Sequence, residues 1–211
     1  MCQTCLSWYA RCAAPYLVHA GCSANAFAHM RRRMIPLARG VVVEVGIGSG
    51  LNLPFYDASS VKRLVGVDPD GTMLGMATRQ SRSLPFHVEC IRAGGESLPL
   101  ADGFADTVVV TYAFCTIPDP QAALDEIRRV LKPTGQLIFI EHGKAEGRLC
   151  REWQERLNRL WGRLAGGCHL TRDPLRLMRG AGFRVIEAEH GRFPPLFWQL
   201  GSHHAGIAAV D

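Results

Sequence analysis

The stretch Val41-Val42-Val43-Glu44-Val45-Gly46-Ile47-Gly48-Ser49-Gly50 restricts the fold more than any other part of the chain. A β-branched run favours an extended strand, and one that is apolar on both faces must be covered on both, as in a parallel sheet. Glycines at alternate positions end the run in a turn where backbone can approach a ligand that a Cβ would keep away. A second apolar run, Leu64-Val65-Gly66-Val67, ends in Asp68, eighteen residues after Gly50. Strand, glycine turn, helix, strand and acid make a nucleotide-binding unit. A dinucleotide fingerprint, G-x-G-x-x-G/A, needs a small final residue for close helix packing. Counted from Gly46 that place holds Leu51, and counted from Gly48 it holds Leu53. The dinucleotide reading fails on both frames.

The rest of the chain supplies a sheet around this unit. Helical spacing runs over residues 6–20, interrupted by Pro15, and over residues 24–34. These form a preface (1–38) to a core (39–211) within one domain, a size that 211 residues can fill. Leu51 to Phe55 reads as a short helical turn, and further strands are expected at 63–67, 86–91, 106–112, 136–141, 183–187 and 206–210. Helices between them carry Met73, Leu74 and Ala77, then Leu124, Ile127, Val130 and Leu131, then a stripe from Leu149 through Trp153, Leu157, Leu160, Trp161 and Leu164. A short helix starts near Asp173-Pro174 and stops at Gly180 or Gly182. The class is α/β, with a doubly wound, Rossmann-like seven-stranded sheet. Ligands of such a sheet lie beyond the carboxyl ends of its strands at the switch point, so residues 112–117 should face both cofactor and acceptor.

Composition excludes several classes. The chain is 47% hydrophobic and 20% charged, with net charge +5, which is ordinary for a globular protein. Arg31-Arg32-Arg33 lacks interleaved aromatics, so no nucleic-acid partner is expected, and the cluster reads as a solvated helix face. Contact with a phosphate or an anionic membrane surface is the alternative, limited to weak peripheral contact. No run approaches a membrane span and no export signal opens the chain, which predicts a cytoplasmic protein with mostly reduced thiols. Four of eight cysteines, Cys2, Cys5, Cys12 and Cys22, lie in the first 22 residues. Cys2-x-x-Cys5 has no second C-x-x-C to complete a zinc site, so they read as plain helical cysteines and no metal is expected.

Glu44 to Gly50, as E-x-G-x-G-x-G, resembles motif I of the class I S-adenosylmethionine-dependent methyltransferases. The resemblance implies S-adenosylmethionine as cofactor, with Gly46, Gly48 and Gly50 against its methionine and ribose part. Glu44 would orient the methionine end and Asp68 would accept both ribose hydroxyls, with Pro69 and Met73 following on the next helix. The loop over residues 93–100 is similar to the one that borders adenine. Many members carry an aspartate where Gly94 stands, so here that contact falls to backbone at Gly95 or to Glu96. Tyr112 and Ala113 close the pocket, and the preface resembles a lid that would bring in Tyr9. Residues 129–137 look like the family's R-V-L-K-P-G-G turn, with Thr134 replacing a glycine.

On the acceptor side, Glu141-His142, residues 167–172, Trp198-Gln199-Leu200, His204 and Ala209-Val210 are similar in kind and order to the animal microsomal thiol S-methyltransferases. Phe114-Cys115-Thr116 looks like their Leu-Cys-Ser. The likeness runs from about residue 40 to the end, and the N-terminal region departs from their membrane-anchoring stretch. It implies a small thiol or hydrogen sulfide as acceptor. A less specific likeness extends to quinone-biosynthesis C-methyltransferases and phospholipid N-methyltransferases. A non-catalytic cofactor-binding or thiol-sensing protein is the reading outside catalysis, and intact Glu44 and Asp68 oppose it. Methyl transfer from a sulfonium to a thiolate annihilates charge, so positioning in a dry pocket carries most of the catalysis. A base of pKa near 7 would raise the thiolate fraction. His142, at a strand's carboxyl end, is the first candidate, followed by His169 and His204, with Arg172 favouring the anion. Equally, His142 reads as a hydrogen-bonded spacer and Arg172 as a partner of Glu141; Cys115 is expected to pack.

Overall fold

The computed structural model describes Tyr9, residues 12–193 and residues 201–210. Helices α1 (Ala14–Cys22) and α2 (Asn25–Met34) precede the sheet. Pro15 lies in the first turn of α1. Its missing N–H would have no helical partner there, so the proline opens the helix instead of interrupting it. Strands β1 (Gly40–Val45), β2 (Val61–Val67), β3 (His87–Ile91), β4 (Ala105–Thr111), β5 (Leu131–Gly143), β6 (Phe183–Arg192) and β7 (Ser202–Val210) form one sheet in the order β3-β2-β1-β4-β5-β7-β6. Pairing is parallel from β3 to β5 and antiparallel for β5–β7 and β7–β6. The expected α/β doubly wound, seven-stranded sheet is the observed one.

Alternation along the strands feeds both faces. Val43, Val45, Val108, Val110 and Phe139 pack on one side, and Val42, Leu64, Val109, Ile138 and Ile140 on the other. Helices α3 (Gly71–Ser81), α4 (Pro120–Val130) and α6 (Pro174–Gly180) begin after Asp70, Asp119 and Asp173, whose carboxylates accept first-turn amides. Helix α4 buries Ala123, Leu124, Ile127 and Val130.

Two sets of boundaries and one helix face differ from the sequence reading. Leu131 opens β5, pairing with Ala105, because Pro133 bars its predecessor from helical backbone and ends α4 early. Strands β6 and β7 extend through Glu189, His190, His203 and His204, polar residues that break the apolar pattern without breaking the ladder. In α5 (Arg148–Leu164) the helix is present, but Gln154 is its buried residue and Leu149, Trp153, Leu160 and Leu164 are exposed. The Gln154 amide accepts from Ala145 N at 2.8 Å, which turns most of the apolar stripe outward. Leu157 and Trp161 alone pack inward, against Phe27, Leu170 and Phe193. Among the described residues no helix is long and apolar enough to cross a membrane.

Candidate active site

Beyond the carboxyl ends of β1 and β4, where strand order reverses, lies a cavity of about 640 Å³. That volume lies within the usual small-molecule range. Glu44, Gly46, Gly48, Asp68, Pro69, Met73, Gly95, Glu96, Tyr112, Ala113 and Tyr9 all line it. At Gly46, φ is +75° and a Cβ would come within 2.6 Å of Ala113 Cβ. Gly48 donates its amide to Asp68 Oδ2 at 2.9 Å. Gly50 stands apart from the lining, since a Cβ there would meet Leu53 Cδ1 at 2.7 Å and Ala77 Cα at 3.1 Å. The third glycine lets the turn pack closely against α3.

Among the carboxylates lining the cavity, burial acts on both Glu44 and Asp68. Glu44 is buried and accepts from Tyr56 OH at 2.7 Å and Asn52 Nδ2 at 2.8 Å. Burial pushes its pKa up to about 7, against the pull of those hydrogen bonds and of Arg31. Asp68 accepts Asp70 N at 2.8 Å on its other oxygen; burial raises its pKa, and its two backbone donors oppose the rise. Glu96 Oε1 accepts Asp119 N at 3.4 Å.

The preface contributes more than Tyr9, whose hydroxyl donates to Leu164 O at 2.7 Å. Pro15, Val18, His19 and Cys22 line the cavity, an i, i+3, i+4, i+7 stripe that sequence spacing alone could have found. His19 Nδ1 is 2.7 Å from Ser49 Oγ in the glycine turn. Burial lifts the Cys22 thiol to about 11, so it stays neutral at physiological pH. Arg31, expected on a solvated face, is buried with Phe27, Met30 and Met34. Its Nε donates to Asn52 Oδ1 at 3.0 Å and its Nη1 to Cys22 O at 2.7 Å, and its guanidinium sits 5.6 Å from the Tyr112 ring centre. Arg32 and Arg33 meet solvent, and Arg33 is paired with Glu189.

Tyr112 ends β4 in left-handed backbone, φ 52°, rare for a residue with a Cβ and typical of functional corners. Phe27 meets its ring edge-on at 5.0 Å. Its buried hydroxyl has no hydrogen-bond partner among the described residues.

The residues expected to do chemistry stand outside the lining. His142 is buried with Nε2 3.2 Å from Cys168 Sγ. His169 is exposed, and its amide donates to Cys115 O at 2.8 Å. Arg172 donates to the carbonyls of Phe114, Ile117 and Pro118, bracing the loop after β4 from behind. Glu141 accepts Ala113 N at 2.8 Å and Phe114 N at 3.0 Å, and burial raises its pKa to about 7. His204 lies opposite Glu141 in the β5–β7 register, with Nε2 3.0 Å from Ser202 Oγ, and burial lowers its pKa to about 4. Cys115 packs, as expected. Cys12 is exposed; Cys2, Cys5, Trp198, Gln199 and Leu200 fall outside the described residues.

Thr116, Ile117 and Pro118 after β4 and Gly162, Arg163 and residues 165–167 at the end of α5 also line the cavity. Neither segment presents a carboxylate or an imidazole to the cavity.

Comparison with known proteins agrees with this geometry. The family described as methyltransferase domain matches residues 43–139. Human thiol S-methyltransferase TMT1A is 31% identical over 185 residues, covering 84% of this chain and 73% of that protein. Human thiol S-methyltransferase TMT1B is 33% identical over 172 residues, covering 79% and 69%. The crystal structure of a SAM-dependent methyltransferase from Aquifex aeolicus shares the fold at a TM-score of 0.63 and 19% identity, covering 93% of this chain and 98% of that one.

Proposed function

The chain belongs to the class I S-adenosylmethionine-dependent methyltransferases, and we propose that it methylates a small thiol or hydrogen sulfide on sulfur. The cofactor supplies a methyl group on a cationic sulfonium. The cavity suits it: Asp68 offers lone pairs to a diol, Glu44 offers a carboxylate to a cationic end, and the Tyr112 hydroxyl awaits a partner. On this reading Glu96 and the backbone of Gly95 border the adenine, with Pro69 and Met73 beside the ribose. On the same reading the described part of the N-terminal region, Tyr9 with α1 and α2, acts as a lid, and the protein works in the cytoplasm on a reduced thiol pool.

The observation that carries the acceptor class is that the two segments read as the acceptor side, after β4 and at the end of α5, present no base, while the imidazole that does line the cavity, His19, is already paired with Ser49 Oγ. A thiol supplies its own nucleophile, since at a pKa of ~8.5 a few per cent is thiolate at neutral pH. Arg163, the charged group there, raises that fraction by attraction. Tyr9, Ile117 and Pro118 exclude water and hold the acceptor in line, which is most of what this reaction asks. The similarity to thiol S-methyltransferases over most of the chain supports the same class. His142, His169, Arg172 and His204 are given no proton-transfer step; Arg172 positions the loop that shapes the acceptor side.

The test offers the purified protein S-adenosylmethionine with an alkyl thiol, a demethylated quinol or aminophospholipid vesicles, and counts S-adenosylhomocysteine. Turnover should depend on the thiol and climb with pH as the thiol ionises, towards ~8.5 for a cysteine-type thiol. Turnover with quinol or lipid alone, or none with the thiol, would sink the proposal.

A further inference from the structure

Cys115, His142 and Cys168 meet behind the acceptor-side wall, although they come from three separate segments: the loop after β4, the end of β5 and the loop after α5. One donor atom from each lies within 4.8 Å of the other two, and all three residues are buried. We infer that they form a site for one thiophilic cation of the zinc class. Two sulfurs and one imidazole nitrogen are a donor set that zinc takes with three protein ligands and one open position. Bonds of about 2.3 Å to sulfur and 2.0–2.1 Å to nitrogen would put tetrahedral donors roughly 3.5–3.8 Å apart. The observed 3.2 Å from His142 Nε2 to Cys168 Sγ is a few tenths of an ångström short of that.

The donors are held in advance. The His169 amide donates to Cys115 O at 2.8 Å, which ties the two cysteine-bearing loops directly. Arg172 grips Phe114 O and Ile117 O on either side of Cys115, and Glu141 grips the amides of Ala113 and Phe114 beside His142. Such fixed loops suit a metal site, where ligands must keep their positions. Loading the site displaces the two thiol protons: a divalent cation, two cysteine thiols and neutral His142 give a bis-thiolate, mono-imidazole complex of zero net charge and two released protons. The fourth position is filled from outside this set. Thr116 and Gly167, chain neighbours of the two cysteines, line the cavity, so the site adjoins the place where an acceptor would stand. The site is independent of the acceptor's identity.

The experiment uses the full chain, reduced and stripped by chelator, titrated with Co²⁺ and then with Zn²⁺. One equivalent of Co²⁺ should give thiolate-to-metal charge-transfer bands and tetrahedral d–d bands that Zn²⁺ abolishes, with close to two protons released per ion near neutral pH. Cys115→Ser, Cys168→Ser and His142→Ala should each weaken binding by more than about 100-fold, since removing even a supporting partner of a ligand costs 10–100-fold. The double variant Cys2→Ser/Cys5→Ser should keep the wild-type spectrum. Calorimetry of S-adenosylmethionine binding checks that the serine variants are folded. An octahedral cobalt spectrum in the wild type would overturn the inference. So would thiolate bands that survive the serine changes at 115 and 168, bands that vanish with Cys2 and Cys5, or a Cys115–Cys168 disulfide that forms in preference to metal uptake.

Discussion

Ionisation of Glu44 is opposed by burial, and this makes the residue a reporter of pH. Its folded pKa of about 7 lies above the ~4.3 of an exposed glutamate. The protonated state is therefore favoured by folding: the stabilisation is fully present below ~4.3 and is lost as pH rises to about 7. Without cofactor, Glu44→Gln should unfold at a higher temperature than the wild type at pH 8 and close to it at pH 4, by scanning calorimetry. Cofactor affinity should show the reverse sense. A cationic ligand end needs the carboxylate, so Glu44→Gln should lose more affinity at pH 8 than at pH 6. Asp68→Ala removes a charged acceptor for two hydroxyls, at about 1.5–3 kcal/mol each, and affinity by calorimetry should fall by at least about 100-fold. Gly46→Ala meets both a positive φ and the Ala113 methyl, and should cost about 1–3 kcal/mol in denaturant titration. At this scale Glu44, Gly46, Gly48 and Asp68 were legible because a backbone turn and strand ends fix them locally. Arg31 was not, because its charge hid that it lies on an inward-facing helical face; His19 was within reach of helical spacing, but its polarity kept it out of the reading.

Among the elements, the loop after β4 depends on α6's approach more than on its own sequence. Arg172, just before α6, spans three of its carbonyls. Arg172→Lys keeps the charge but loses the planar fork. Acceptor KM should rise several-fold while cofactor affinity holds, and the thermal midpoint should drop by the loss of one or two charged hydrogen bonds, about 1.5–3 kcal/mol each. Strand cores were readable from apolar runs, whereas strand ends were not. Backbone pairing carries β6 and β7 through histidines and glutamates that no hydropathy pattern marks. Helix α5 teaches the same limit from the other side: its period was plain, but a single buried Gln154 decides which face turns inward.

For the molecule as a whole, the glycine turn and the two acids led from sequence to a cofactor class, while the acceptor side had to be assembled from distant segments. His142 and His204 sat at strand ends beside the cavity and His169 in the loop after α5, but a strand end has two sides, and spacing does not say which one opens on a cavity. A different connection follows from the bonds around Arg31. Glu44 accepts from Asn52, Asn52 accepts from Arg31, and Arg31 donates to the last carbonyl of α1, so the floor and the roof of the cavity share one hydrogen-bonded relay. Coupling of this kind is reciprocal: whatever binding gains from an ordered roof, the roof regains in order from binding. Saturating S-adenosylmethionine should therefore slow cleavage after the exposed Arg32 and Arg33 of α2 by a trypsin-like protease, and Arg31→Gln should erase that protection more than it lowers affinity. With α1 and α2 proposed as a lid, we propose that their opening sets how long the product stays, as lid opening does in many enzymes whose chemistry is easy.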